Sequence, residues 1–126
     1  MIFLETSFLI GLNVENDEHH KRANEIKSLL KNRELVISQM TIFETLTVLR
    51  KLNQSDEDVK KVYENLISIP TYNDVIFYQE ALEDTLTNSI GFFDNLTHKV
   101  MTNIGVNEIA SFDSDFDIFD DIKRIY

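Results

Sequence analysis

Apolar residues recur along this chain in two patterns. Short continuous runs bounded by polar residues, at Ile2–Leu4, Leu35–Ser38 and near Glu108–Ser111, read as strands buried on both faces. Longer stretches repeat apolar residues three and four positions apart, the period of a helix with one face in a core. The stretch Ile2–Leu12 combines the two, and the rest is organised around it. Its opening strand ends at the acid Glu5, and Thr6 or Ser7 is placed to cap the helix that follows. An acid there stands at the carboxyl end of a central parallel strand, the edge at which open α/β sheets bind ligands.

The same pattern continues down the chain. Asp17 or Glu18 opens a surface helix to about Asn32, with Ala23, Ile26, Leu29 and Leu30 on its apolar face. After the strand Leu35–Ser38, Ser38 caps a helix over about Met40–Leu52 with Ile42, Phe43, Leu46, Leu49 and, at its end, Leu52 toward the core. Glu44 lies in the second turn of that helix, near the same sheet edge as Glu5. Ser55 caps a helix striped by Val59, Val62, Tyr63, Leu66 and Ile67, with Glu57 and Asp58 in its first turn where the dipole favours anions. Ile67–Thr71, containing Pro70, reads as an edge strand or near one. Asn73 or Asp74 starts a helix to about Ser89 that carries Ile76, Phe77, Ala81, Leu82 and Leu86.

Gly91 breaks the pattern, and Phe92–Ile104 resumes it through Phe93, Leu96, Val100 and Ile104, with Asp94 in the first turn and Gly105 as the stop. The strand near Glu108–Ser111 delivers Ser111, Asp113 and Asp115. Ile122–Tyr126 adds a last edge strand, its Lys123 and Arg124 discouraging edge-to-edge pairing. Strands alternating with helices give an α/β fold with a parallel sheet and right-handed crossovers. Adjacent His19 and His20 do not share a helical face, so both read as surface or packing histidines. His98, four positions after Asp94, can orient it, but a packed or partly exposed histidine is the commoner role.

Composition narrows the choice. A chain of 126 residues is expected to form one domain over 1–126, with 43% apolar and 27% charged residues as in ordinary globular proteins. The absence of cysteine excludes disulfides, thiolate metal sites and a cysteine nucleophile, and suits a reducing, cytoplasmic setting. The N-terminus lacks a basic leader and contains Glu5, unlike a secretory signal, and nothing approaches the length of a membrane span. A net charge of −10 argues against a general nucleic-acid binder. That objection weakens if the carboxylates gather around divalent metal or the basic residues collect on one face. An acidic surface can also attract a basic partner protein.

Four acids recur at comparable places: Glu5 and Asp113 after strands, Glu44 and Asp94 in early helical turns. Unpaired carboxylates converging on one pocket raise each other's pKa and oppose folding, and a divalent cation offsets that repulsion. Oxygen-only donors select hard cations such as Mg²⁺ or Mn²⁺, which orient a water, lower its pKa and stabilise charge on a phosphoryl group. No serine–histidine triad, Walker loop or glycine-rich dinucleotide turn competes with this chemistry.

The segments LETSFLIGL, ISQMTIFETLTVL and GFFDNLTHKVMTNIGVNEIASFDSDFD resemble, in order and across essentially the whole chain, the successive motifs of PIN-domain ribonucleases, especially the VapC-type toxins of toxin–antitoxin pairs. Each motif is short; their order and spacing carry the specificity. The resemblance implies a three-layer α/β/α PIN-like domain with a central, mostly parallel sheet. It further implies Mg²⁺- or Mn²⁺-dependent hydrolysis of RNA phosphodiester bonds, homodimerisation and a VapB-type antitoxin. Glu5 matches the family's first acidic position, Ser7 its nearby hydroxyl, Glu44 the second acid, Asp94 the third and Asp113 the acid after the fourth strand. By the resemblance all four acids are catalytic, Glu5, Asp94 and Asp113 hold metal, and Ser7 and Asp115 are auxiliary. The family carries aspartate where this chain has Glu5. The added methylene moves the carboxylate by roughly 1 Å, a misplacement that can cost ~100-fold in rate.

Two other readings compete. One is a PIN-like module that binds RNA or an antitoxin with reduced catalysis. The other is a phosphoacceptor receiver domain, which needs an acidic pair after the first strand and an acid after the third. Here Glu5 stands alone and Pro70–Tyr72 contains no acid.

Overall fold

The computed structural model describes all 126 residues, Met1–Tyr126. Its strands are β1 (Ile2–Leu4), β2 (Leu35–Ser38), β3 (Thr71–Tyr72), β4 (Glu108–Ala110) and β5 (Lys123–Ile125). Its helices are α1 (Thr6–Asn13), α2 (His20–Leu29), α3 (Gln39–Lys51), α4 (Asp56–Leu66), α5 (Tyr78–Thr87) and α6 (Phe92–Ile104). The strands form one all-parallel sheet in the order β3-β2-β1-β4-β5. Pleating sends alternate side chains to opposite faces. Ile2, Leu4, Ile37 and Ala110 therefore enter one core, packed by α1, α2, α3 and α4. Phe3, Val36 and Ile109 enter the other, packed by α5 and α6. This is the three-layer α/β/α arrangement that the resemblance implies, built on the parallel sheet that the alternating pattern predicts.

The order of strands fixes where a site can form. The chain moves outward from β1 to β2 and β3, then returns to the far side of β1 for β4 and β5. The crossovers diverge at the carboxyl ends of β1 and β4, and the gap between them is the place where open sheets bind ligands. Glu5 and Asp113 leave the sheet at that gap.

Several elements differ from their sequence reading, each for a physical reason. The cap of α1 is Glu5 itself, not Thr6 or Ser7: its carboxylate accepts from Ser7 N at 2.9 Å. α2 begins at His20, because Asp17 Oδ1 accepts from His19 N and holds the preceding residues in a turn. Leu29 is 71% exposed, and Leu30 fills the core in its place. Ser38 sits at the cap position of α3 but its hydroxyl lies 3.1 Å from Thr41 Oγ1 rather than on a backbone N–H. On α3, Phe43 and Leu52 face solvent while Thr45 joins Ile42 and Leu49 inside. On α4, Val59, Val62 and Leu66 are buried, but Tyr63 and Ile67 are exposed.

Ser55 caps α4 as expected, accepting from Asp58 N at 3.1 Å. The edge strand falls at Thr71–Tyr72, just after Pro70, so the missing proline N–H interrupts no ladder bond. The helix expected over 73–89 is divided into a 3₁₀ turn, Val75–Phe77, and α5. Of its expected apolar face only Ala81 is fully buried; Ile76, Leu82 and Leu86 are exposed. Gly105 ends α6 with φ +70°, a left-handed conformation that glycine adopts without steric penalty.

Candidate active site

Glu5, Glu44, Asp94 and Asp113 all line one cleft of about 230 Å³ at the β1/β4 gap. Each arrives by a different route. Glu5 follows β1 directly, its N–H continuing the ladder to Ala110 O at 3.1 Å. Glu44 projects from α3, which starts at the end of β2. Asp94 stands in the first turn of α6. Asp113 follows β4 and opens a 3₁₀ turn, Ser114–Ile118, its Oδ1 accepting from Asp115 N at 2.9 Å.

Glu5 is tied into the fold by its Oε2. That oxygen accepts from Ser7 N, from Ser7 Oγ and, at 2.7 Å, from Ser111 Oγ. Each hydroxyl has one proton, and both protons are spent on Glu5. The two serine oxygens, 3.2 Å apart, are then free to accept: Ser7 Oγ from Phe112 N at 2.9 Å, and Ser111 Oγ from Asp113 N at 3.0 Å. A continuous network thus joins the start of α1 to the loop after β4. Ser111, fully buried, is its hinge. Across the cleft wall Thr6 Oγ1 donates to Glu44 Oε1.

Burial and mutual repulsion push Glu5, Glu44 and Asp94 toward the neutral form. Burial raises the Glu5 carboxyl, against the lowering effect of the Ser7 and Ser111 hydrogen bonds, and Glu44 adds repulsion. Burial also raises Glu44, opposed by Thr6 and reinforced by Asp113. Asp94 has no compensating donor: burial, then the charges of Asp113, Glu5, Asp115 and Glu44, push it up to about 7. No lysine, arginine or histidine lines the cleft.

Carboxylate oxygens of Asp94, Asp113 and Asp115 all lie within 4.8 Å of one another. Oxygens bound to a common hard cation at about 2.1–2.5 Å are up to about 5 Å apart, so this group fits a shared divalent ion. The fit rests on the donor set as well: oxygen only, anionic and with no salt bridge from Asp94, Asp113 or Asp115 to a basic side chain. The set expected from sequence was Glu5, Asp94 and Asp113; the tightest group contains Asp115 in place of Glu5.

His98 does not orient Asp94. Its Nε2 is 2.9 Å from Asp121 Oδ1, and its ring stacks on Phe119. His19 stacks on Phe112, and His20 Nδ1 is 2.8 Å from Gly11 O, so both are packing residues.

The sequence profile of the PIN domain matches residues 2–122. The chain belongs to the PIN domain family. Among solved structures, this PIN domain superposes on VapC20 of Mycobacterium tuberculosis, a toxin described as cleaving the sarcin–ricin loop, with a TM-score of 0.83. The two are 22% identical, and the match covers 94% of each chain. PAE2754 of Pyrobaculum aerophilum matches with a TM-score of 0.69 and 16% identity, over 98% of this chain and 87% of the other. No curated protein sequence matches significantly.

Two residues that support this PIN-domain site escaped the sequence reading. Asp74 is fully buried, and its Oδ2 accepts from Met40 N, in the first turn of α3, at 3.0 Å. Its Oδ1 accepts from Tyr78 OH at 2.9 Å, and burial together with Asp74 pushes that phenol up to about 12. Asp74 therefore does for α3 what Ser38 does not. Arg124 clasps Asp117 with two hydrogen bonds of 2.8 and 2.9 Å and donates to Ser111 O at 3.2 Å. It pins the acidic turn rather than merely guarding a sheet edge. Asp74 reads locally as a helix-start residue and Arg124 as an edge-strand charge, and no local spacing reveals that Asp74 has a partner 34 positions away.

Proposed function

We propose that this protein is a metal-dependent endoribonuclease of the VapC toxin type, hydrolysing RNA phosphodiester bonds with Mg²⁺ or Mn²⁺. The convergence of Asp94 and Asp113, from a cleft without basic residues, with the exposed Asp115, all within 4.8 Å, carries this reading. A bound divalent cation would supply charge stabilisation at a phosphoryl oxygen and a water of lowered pKa. The three aspartates would hold it, with Asp115 joining the set suggested by the family resemblance. Glu44, fixed through Oε1 by Thr6, has Oε2 available to accept a proton from the attacking water. Glu5, through Ser7 and Ser111, keeps the loop bearing Asp113 against α1.

The resemblance to VapC toxins extends the proposal to a small VapB-type antitoxin and to a homodimer. The exposed Leu82 and Leu86, one turn apart on α5, support an apolar contact of that kind. No helix is long and apolar enough to cross a membrane.

The test is cleavage of a structured RNA pool with Mg²⁺ or Mn²⁺, with and without chelator, for the protein and its Asp94→Asn form. Chelator-sensitive cutting that falls about 100-fold or more in Asp94→Asn supports the nuclease. A second reading, a binding module with reduced catalysis, is favoured by Glu5, whose Oε2 already accepts three hydrogen bonds. Cutting by the Glu5→Asp form alone would select it for the native chain.

A further inference from the structure

RNA-binding proteins ordinarily gain much of their affinity from basic contacts to phosphates. The cleft offers none, and the whole chain carries a net charge of −10. One lining residue supplies a source of affinity that needs no positive charge. Phe93 stands directly before Asp94 at the start of α6, and 45% of its surface is exposed. Isolated exposed aromatics are common on protein surfaces. Phe93 differs in lining a cleft whose other walls are mostly acids and hydroxyls. Its ring is braced: it meets Phe92 edge-on at 5.5 Å and 71°, and Phe92 in turn meets Tyr78 edge-on at 6.2 Å. Half-buried Met40, from α3, and buried Phe116 are the two other apolar side chains of the lining.

We infer that Phe93 is the platform on which an unpaired nucleobase stacks, beside the phosphate presented to Asp94, Asp113 and Asp115. The inference rests on the ribonuclease reading for its substrate. Stacking on an aromatic ring tolerates any base and is independent of phosphate charge. A base paired inside a helix cannot present its face to such a ring, so the substrate is single-stranded or looped at the cleavage point. Substrate affinity then depends on salt far less steeply than in a basic nuclease.

The test uses fluorescently labelled single-stranded octaribonucleotides with all bases present and the same strands with one abasic position, moved along the strand. Binding is read by anisotropy in Mg²⁺, alongside cleavage of an RNA pool. The protein should bind the complete strand about tenfold more tightly than the strand abasic at one particular position. Phe93→Ala and Phe93→Leu should bind both strands at the abasic level, with KM raised and kcat little changed; Phe93→Tyr should restore the preference. Unfolding midpoints near that of the parent exclude a folding defect. Cleavage without any base preference, or a preference that survives in Phe93→Leu, overturns the platform and leaves the nuclease standing. A Phe93-dependent preference without cleavage supports the platform and overturns the nuclease. Neither binding nor cleavage overturns both.

Discussion

At Asp94, burial and four other carboxylates act in the same direction, and no donor opposes them. The carboxyl titrates near 3.8 when unfolded and about 7 when folded. A raised acid contributes stability that is complete below its unfolded pKa and is lost as pH rises through its folded one. Asp94→Asn should therefore leave metal-free stability nearly unchanged at pH 3.5 and raise it by about 1–2 kcal/mol at pH 8, after allowance for solvent screening at a half-buried group. Denaturant unfolding in chelator at the two pH values checks this, and equal shifts at both would contradict it. The same substitution should weaken divalent-ion binding, so stability and site chemistry move in opposite directions. Part of this was legible in the chain: an acid in the first turn of a helix after Gly91 marks a place near the sheet edge. The loss of a histidine partner was not, because His98 at i+4 is drawn instead to Asp121 and Phe119 by the packing of a loop 23 residues away.

Among the elements, α3 shows how much a helix start depends on remote groups. Its cap residue makes no side-chain bond to the first turn; the buried Asp74 accepts from Met40 N instead. Asp74 also holds Tyr78, whose ring meets Phe92 beside Phe93 and Asp94. One carboxylate thus ties α3, which carries Glu44, to α5, whose Tyr78 packs on the helix that carries Asp94. Asp74→Ala should strand a buried N–H and a phenol hydroxyl and destabilise the fold by about 3 kcal/mol. Tyr78→Phe, which removes one bond and keeps the ring, should destabilise it by about 1 kcal/mol. Thermal unfolding ranks the two, and equal effects would mean that Asp74 acts through Tyr78 alone. The helices themselves were legible from period and caps, Ser55 and Gly105 most clearly, because those signals act within one turn. The exposed faces of α5 were not: Leu82 and Leu86 follow helical spacing, but only α6 and the sheet decide which face is covered, and Ala81 takes that place.

For the whole molecule, three raised acids share one cleft, whereas the lowered ones, Glu108 beside Arg33 and Asp117 beside Arg124, are paired near the surface. The lowered pair favours folding above the ordinary carboxylate range, but solvent screening keeps that contribution small. The raised group wins, so chelator-treated protein should lose stability from pH 5 to pH 8. A divalent ion that binds only the folded state at a hundred times its Kd adds about 2.7 kcal/mol, roughly 10 °C in Tm for a chain of this size. The Tm gain on adding Mg²⁺ or Mn²⁺ should be larger at pH 8 than at pH 5, and an equal gain would place the ion away from these acids. The alternating apolar pattern by itself determined the order of strands and helices, the two-faced burial of β1 and the placement of acids at strand and helix ends, since these follow from backbone periodicity and local capping. Only the tertiary structure decided that β1 and β4 lie side by side, that Ser111 links Glu5 to Asp113, and that Asp115 joins Asp94. Those contacts close over 21 to 106 residues, and their free energy comes from packing and desolvation that no local stretch of sequence contains.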